Sequence, residues 1–202
     1  MTDLIPPVII PGNAMAVDER ILKIKKELRL DMNGAASASM RNGGISYGLN
    51  FGVGLPRLRQ IAGDIGYDAS LALSLWKENV RECRIIAALI YPPADFCPDL
   101  ADEWVCQIQS SDLADVCSMY LFSRMQEASS TAFRWIASGN DMVQYCGFLS
   151  LAHMMRTGRE MSPRYVCELK DQADAVLAGD SALPKLAART ALDCLERNDG
   201  QK

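Results

Sequence analysis

Histidine occurs once in this chain of 202 residues, and aromatic residues make up only 7% of it. The single histidine, His153, stands among Leu151, Ala152 and Met154 with no second ligand type arranged about it. That argues against a zinc site, and equally against a general base serving a nucleophile. Nothing in the sequence calls for a metal or another cofactor. No cysteine pair has C-x-x-C spacing, and the total of 7 is odd. Cys83, Cys117, Cys146 and Cys194 each fall among apolar helix positions, so they read as small buried hydrophobes in a reducing compartment. The cytoplasm is the expected location. No apolar run reaches the length that crosses a bilayer, so no membrane contact is expected. The stretch Met1 to Gly12 holds Pro6, Pro7 and Pro11 without a cationic n-region. It reads as an extended arm over residues 1–15 and not as a signal peptide.

Two further absences narrow the fold. No stretch alternates as a half-buried strand would, although Ile45 to Val53 can hold a short extended piece. The Gly-rich stretch Asn33 to Gly54 contains no G-x-x-x-x-G-K-S/T and follows no strand, which excludes a phosphate-binding loop of that kind. As a long loop between helices it is expected to be mobile or functional.

What the chain does have is helical period. Val17, Ile21, Ile24 and Leu28 mark a first amphipathic helix, and Leu58, Ile61, Ala62 and Ile65 a second. Val80, Cys83, Ala87 and Ile90 follow in looser form. The clearest stripe is Leu113, Val116, Cys117, Tyr120 and Leu121. Beyond it come Met142, Tyr145, Cys146 and Leu149, then Val166, Leu169, Ala173 and Val176, then Leu183, Leu186, Ala187 and Cys194. Capping and breaking residues punctuate the stripes at Asp68, Pro92-Pro93, Pro98-Asp99, Ser111, Asn140 and Ser162-Pro163. Helical hairpins then begin near Asp68, Asp99, Ser130 and Ser162, at separations of 31, 31 and 32 residues. Two helices per unit at that period spell an all-α solenoid, an α-α superhelix in which no hairpin can bury its apolar face alone. A single repeat domain over residues 16–202 is expected, acting as a monomer. Trp76, Trp104 and Trp135 recur at similar places in successive hairpins, as knobs between repeats would.

Charge is uneven along the chain. Residues 1–91 carry 11 Lys and Arg against 9 Asp and Glu, and residues 92–202 carry 10 against 16. With a net charge of −4 the chain is not a generic polyanion binder, so any nucleic-acid contact is expected in the first half. Lys23, Lys25, Lys26 and Arg29 form the densest basic patch. Arg57 and Arg59 open a helix just after Pro56, where they can contact phosphates or pair with Asp64 and Glu82. Arg81 and Arg84 share one side of a helix and fit structural ion pairs.

The segment Phe51 to Ala62, FGVGLPRLRQIA, resembles the opening signature of the AlkD-like DNA alkylation repair proteins. LALSLW at 71–76 and RECRIIAAL at 81–89 continue the match in order, and the hairpins downstream extend it more loosely. The resemblance implies a stack of HEAT-like helix pairs cradling duplex DNA on a basic concave face. It also implies hydrolysis of the N-glycosidic bond of N3- or N7-alkylated purines. A cationic purine is a good leaving group, so such an enzyme mainly stabilises an oxocarbenium-like sugar with a nearby carboxylate. By resemblance that carboxylate is Asp115; on charge and position the candidate DNA contacts are Lys23, Lys26, Arg57, Arg59 and Arg84. The rest of the family's catalytic set is missing. The Trp four residues before the Asp is Ser111 here, Val143-Gln144-Tyr145-Cys146 offers no Arg pair, and no Trp follows Trp135. Two functions follow as expectations: a repair protein that binds duplex DNA, or a non-catalytic scaffold that holds a protein partner on its helical surface.

Overall fold

Ile21, Ile24 and Leu28 lie buried along one side of the first helix, α1 (Val17–Leu30), as their spacing dictates. The computed structural model describes residues 17–42 and 47–199. The arm read at residues 1–15 lies outside them. After α1 come α2 (Gly34–Asn42), α3 (Leu55–Ile65), α4 (Ala69–Trp76), α5 (Arg81–Ile90), α6 (Pro98–Cys106), α7 (Ser111–Tyr120), α8 (Ala128–Ile136), α9 (Asp141–Arg156), α10 (Pro163–Ala178) and α11 (Ala182–Asp199). Short 3-10 turns at Pro93–Asp95 and Phe122–Arg124 join them. Among the described residues the extended structure is one isolated parallel bridge between Leu49 and Val80.

Most helix starts behave as read from the caps; Ser111 does not, since it lies inside α7 and Ser110 takes the cap position without a side-chain bond. Asp68, Asn140 and Ser162 each accept a backbone N–H of the helix they open, and Pro98 and Pro163 stand in the first turn. Helices open at Ala69, Pro98, Ala128 and Pro163, within about two residues of the predicted hairpin starts. One element departs from the reading. The Gly-rich stretch is not loop throughout, because α2 forms inside it. Asn33 starts that helix by accepting the Ala36 N–H at 3.0 Å, and Ala35, Ala36 and Ala38 carry it.

The described residues pack as two compact units that divide at the helix-breaking Pro92-Pro93 pair. In the first unit α1 packs on α4 and α3 on α5, so one helix pair stacks on the next. Arg20 bridges α1 to Asp68, and Lys25 reaches Glu78 at 2.6 Å.

The second unit is organised round α9, which touches α6, α7, α8 and α11. Its apolar residues are not confined to a stripe, and Tyr145 to Met155 are buried without a break. A helix covered on every side needs that composition. Trp104 and Trp135 belong to an aromatic chain through Phe96 and Phe122, with centroids 4.9–6.0 Å apart. Trp76 is likewise buried in the first unit. Cys83, Cys117, Cys146 and Cys194 are buried thiols as expected. Burial pushes Cys83 up to about 12, so it stays protonated and unreactive.

Candidate nucleic-acid interface and the Asp115 site

The segment that carries the resemblance is held by a buried carboxylate. Glu82, on the first turn of α5, has no solvent exposure. It accepts the backbone N–H groups of Phe51 at 3.1 Å, Gly52 at 2.9 Å and Val53 at 3.3 Å. Arg81, itself buried, donates to the same carboxylate and to the Val53 carbonyl, both at 3.2 Å. Gly52 takes φ 72°, and a Cβ there would stand 2.3 Å from the Asn33 carbonyl oxygen. Only glycine fits that corner. The clamp sets where α3 begins, since Gly54 caps it with an accepting carbonyl and Pro56 sits in its first turn.

Arg57 and Arg59 therefore have fixed starting points, but their charges are used differently. Arg57 donates to Glu27 and to Asp31, both at 2.7 Å, and so ties α3 to α1. Its partners are not the Asp64 and Glu82 that the sequence suggested. Arg59 is exposed on α3. Arg84 is half-buried, with its guanidinium 5.6 Å from the Trp76 ring centre. On α1, Lys25 is paired with Glu78, whereas Lys23, Lys26 and Arg29 are exposed. No carboxylate among the described residues lies within ion-pair reach of these three. The five predicted basic contacts all belong to the first unit, and Asp115 belongs to the second.

Asp115 sits on the second turn of α7, one turn after Ser111 and outside the buried stripe. The residue is exposed, yet one carboxylate oxygen is engaged. The Tyr145 hydroxyl on α9 donates to Asp115 Oδ1 at 2.8 Å. The surrounding protein raises the Asp115 carboxyl above its ordinary range chiefly by displacing water. The Tyr145 bond works against that rise, and the nearby Asp112 adds to it. Water on the open side screens the effect. Tyr145 is raised well above the ordinary phenol value, first by burial and then by its bond to Asp115. Its hydroxyl therefore stays protonated near neutral pH and can donate to Asp115.

Gln144, beside it, is part-buried and its amide is engaged. Its amide donates to the carbonyls of Ile136 at 3.0 Å and Ser138 at 2.6 Å, closing the end of α8. The sequence marks Tyr145 as one more member of an apolar stripe, and a buried tyrosine in such a stripe needs a partner for its hydroxyl. That need, together with the repeat period, is the signal that could have found the pair.

A sequence model of the family described as "DNA alkylation repair enzyme" matches residues 24–178. Among solved structures, one described as "A new family of proteins related to the HEAT-like repeat DNA glycosylases with affinity for branched DNA structures" matches with a TM-score of 0.78 at 19% identity. The match covers 86% of this chain and 74% of that one. At that identity the likeness is one of fold: an all-α, HEAT-like repeat architecture. No curated protein matches the sequence.

Proposed function

The chain belongs to the DNA alkylation repair enzyme family, and from that premise we propose that it binds duplex DNA, branched forms included, without excising alkylated purines at a useful rate. The observation that carries the second half is the Tyr145 hydroxyl on Asp115. Excision of a cationic purine needs a carboxylate whose negative charge faces the departing sugar. Here that charge is partly spent on a neighbouring hydroxyl. The aromatic that would hold the sugar is replaced by Ser111, and Gln144 is occupied with the end of α8. Positioning is lost along with charge, and positioning supplies much of such a rate.

Support for DNA binding comes from the family, from the described affinity of the structural neighbour for branched DNA, and from the exposed cations Lys23 and Lys26. The test combines binding and chemistry on the full chain. Anisotropy with labelled linear duplex and a three-way junction should show affinity that falls steeply with salt. Lys23→Glu with Lys26→Glu should weaken both by about tenfold and flatten the salt dependence by roughly 0.9 for each phosphate no longer neutralised. Single-turnover release from 7-methylguanine duplex should not exceed the spontaneous rate, and Asp115→Asn should leave it unchanged. Excision that disappears in Asp115→Asn would overturn the non-catalytic reading. Absence of DNA binding even at low salt would overturn the rest.

One observation favours the scaffold reading as runner-up. Leu22 and Leu30 are 66% and 80% exposed on α1, beside the same lysines, and such apolar positions suit a protein partner. Salt-insensitive binding by a partner that Leu22→Ser and Leu30→Ser abolish would favour it.

A further inference from the structure

The second unit holds an arginine cluster for which the proposed function has no use. We propose that Arg124, Arg156 and Arg159 form an anion-binding patch that takes the phosphates of a nucleic-acid strand. The proposal rests on the DNA-binding reading and adds a second binding surface to it.

Three separate pieces of chain bring these residues together. The 3-10 turn Phe122–Arg124 packs against both α7 and α9. Helix α9 ends at Arg156, where Gly158 at φ 80° reverses the backbone and the Arg159 N–H caps the Met154 carbonyl at 3.1 Å. The reversal carries Arg159 back over the turn, and its Nη1 donates to the Ser123 carbonyl at 3.1 Å. Next to Ser123, the Arg124 guanidinium stands 5.6 Å from the centre of the Tyr120 ring. His153, one turn before Arg156, reports the same convergence. It is lowered to about 4, first by burial and then by the charges of Arg156 and Arg124.

None of the three guanidiniums is within ion-pair distance of a carboxylate among the described residues. That is unexpected in a half of the chain with 16 acidic side chains to 10 basic ones. By contrast, Arg134 in the same unit is held by both oxygens of Asp102. The end of α9 favours nearby positive charge through its dipole, which accounts for Arg156 and Arg159 but not for Arg124. Gathering three like charges without a carboxylate does not help the fold. It does prepare a phosphate site, because guanidinium forks match phosphate oxygens in pairs. The Tyr120 ring and the Ser123 carbonyl already hold two of them, so less side-chain freedom is lost on binding.

The test uses the full chain, a labelled linear duplex and a range of salt concentrations. Two variants are compared with the parent, the triple Arg124→Ala, Arg156→Ala, Arg159→Ala and the single R156E. The triple variant should bind about tenfold more weakly and should reduce the slope of log K against log salt by about 2, as expected when two or three phosphates are no longer neutralised. R156E removes no hydrogen bond of the folded chain and sets only one unfavourable charge against the helix end, so its Tm should fall by no more than about 2–4 °C while binding weakens several-fold. If R156E and the triple variant bind with parent affinity and slope while Lys23→Glu with Lys26→Glu does not, the patch is refuted and the DNA-binding reading survives. If the parent itself binds no duplex at low salt, both fall. Should the triple variant fold poorly, R156E alone decides between these outcomes.

Discussion

Glu82→Ala is expected to be the most damaging single substitution in the first unit, costing about 4 kcal/mol. The side chain is fully buried and answers three consecutive backbone N–H groups as well as the buried Arg81. Its removal takes the carboxylate from the buried Arg81 guanidinium and leaves the Phe51 and Val53 N–H groups unanswered, each with a desolvation penalty of roughly 1–3 kcal/mol, while the Gly52 N–H keeps Asn50 Oδ1 at 2.7 Å. Against a total stability of about 5–15 kcal/mol for a domain, that is enough to unfold part of the population. Glu82→Gln should be milder, because an amide oxygen still accepts from the loop while the charge on Arg81 goes unbalanced. Chemical denaturation followed by circular dichroism measures both. Hydrogen exchange at the Phe51, Gly52 and Val53 amides should rise before the global transition. An alanine variant as stable as the parent would show that the clamp carries no net energy.

The second large effect is expected in the other unit, at Gly147→Ala. A Cβ on Gly147 would lie 2.8 Å from the Ala132 carbonyl oxygen, 2.9 Å from Ile136 Cγ1 and 3.1 Å from the Ile136 nitrogen. Two of those three atoms are backbone, so relief requires α8 and α9 to move apart. Overpacking of this kind costs about 2–3 kcal/mol, and Gly147→Val should cost more. Gly63, in the last turn of α3, supplies the opposite sign. Nothing lies within 4 Å of a Cβ there. Gly63→Ala should therefore stabilise by about 0.5–1 kcal/mol through the unfolded chain and helix propensity. Melting curves of the two alanine variants should move in opposite directions. A matching downward shift in both would refute the close-approach explanation.

Most of the helices were legible because burial on one side imposes a period on them. Ile21, Ile24 and Leu28 face inward on α1, and Leu113, Val116 and Cys117 on α7, as the spacing alone requires. Caps were legible for a similar reason, since Asp68, Asn140 and Ser162 satisfy donors only one turn away. α2 was hidden because Gly34, Ser37 and Ser39 are turn formers on average, and the alanines between them carry no amphipathic stripe. Partnerships across helices were harder. Arg57 finds Glu27 and Asp31, Tyr145 finds Asp115, and Glu82 finds backbone groups that have no side-chain signature at all.

Yet those partnerships share a spacing. Arg57 lies 30 residues from Glu27, Tyr145 30 from Asp115, and Trp135 33 from Asp102, each close to one repeat. In stacked hairpins, residues one period apart stand side by side, so the period of about 31 residues is also a rule for finding contacts. Applied to Asp115, the rule leads to Tyr145 and Cys146, of which only the tyrosine can donate a strong hydrogen bond. The arginine cluster escapes it, because Arg159 reaches Ser123, the neighbour of Arg124, through a 3-10 turn and a left-handed glycine that interrupt the regular spacing.

The carboxylate clamp bears on how such a lineage can drift. Phe51, Gly52 and Val53 with Glu82 keep the first unit assembled, so a descendant that abandons them is lost whatever it does. Ser111, exposed at the start of α7, can change with no such penalty, whereas Gln144 and Tyr145 are held by bonds of their own. The signature is thus a mark of shared architecture, and kinship traced through the clamp carries no information about turnover.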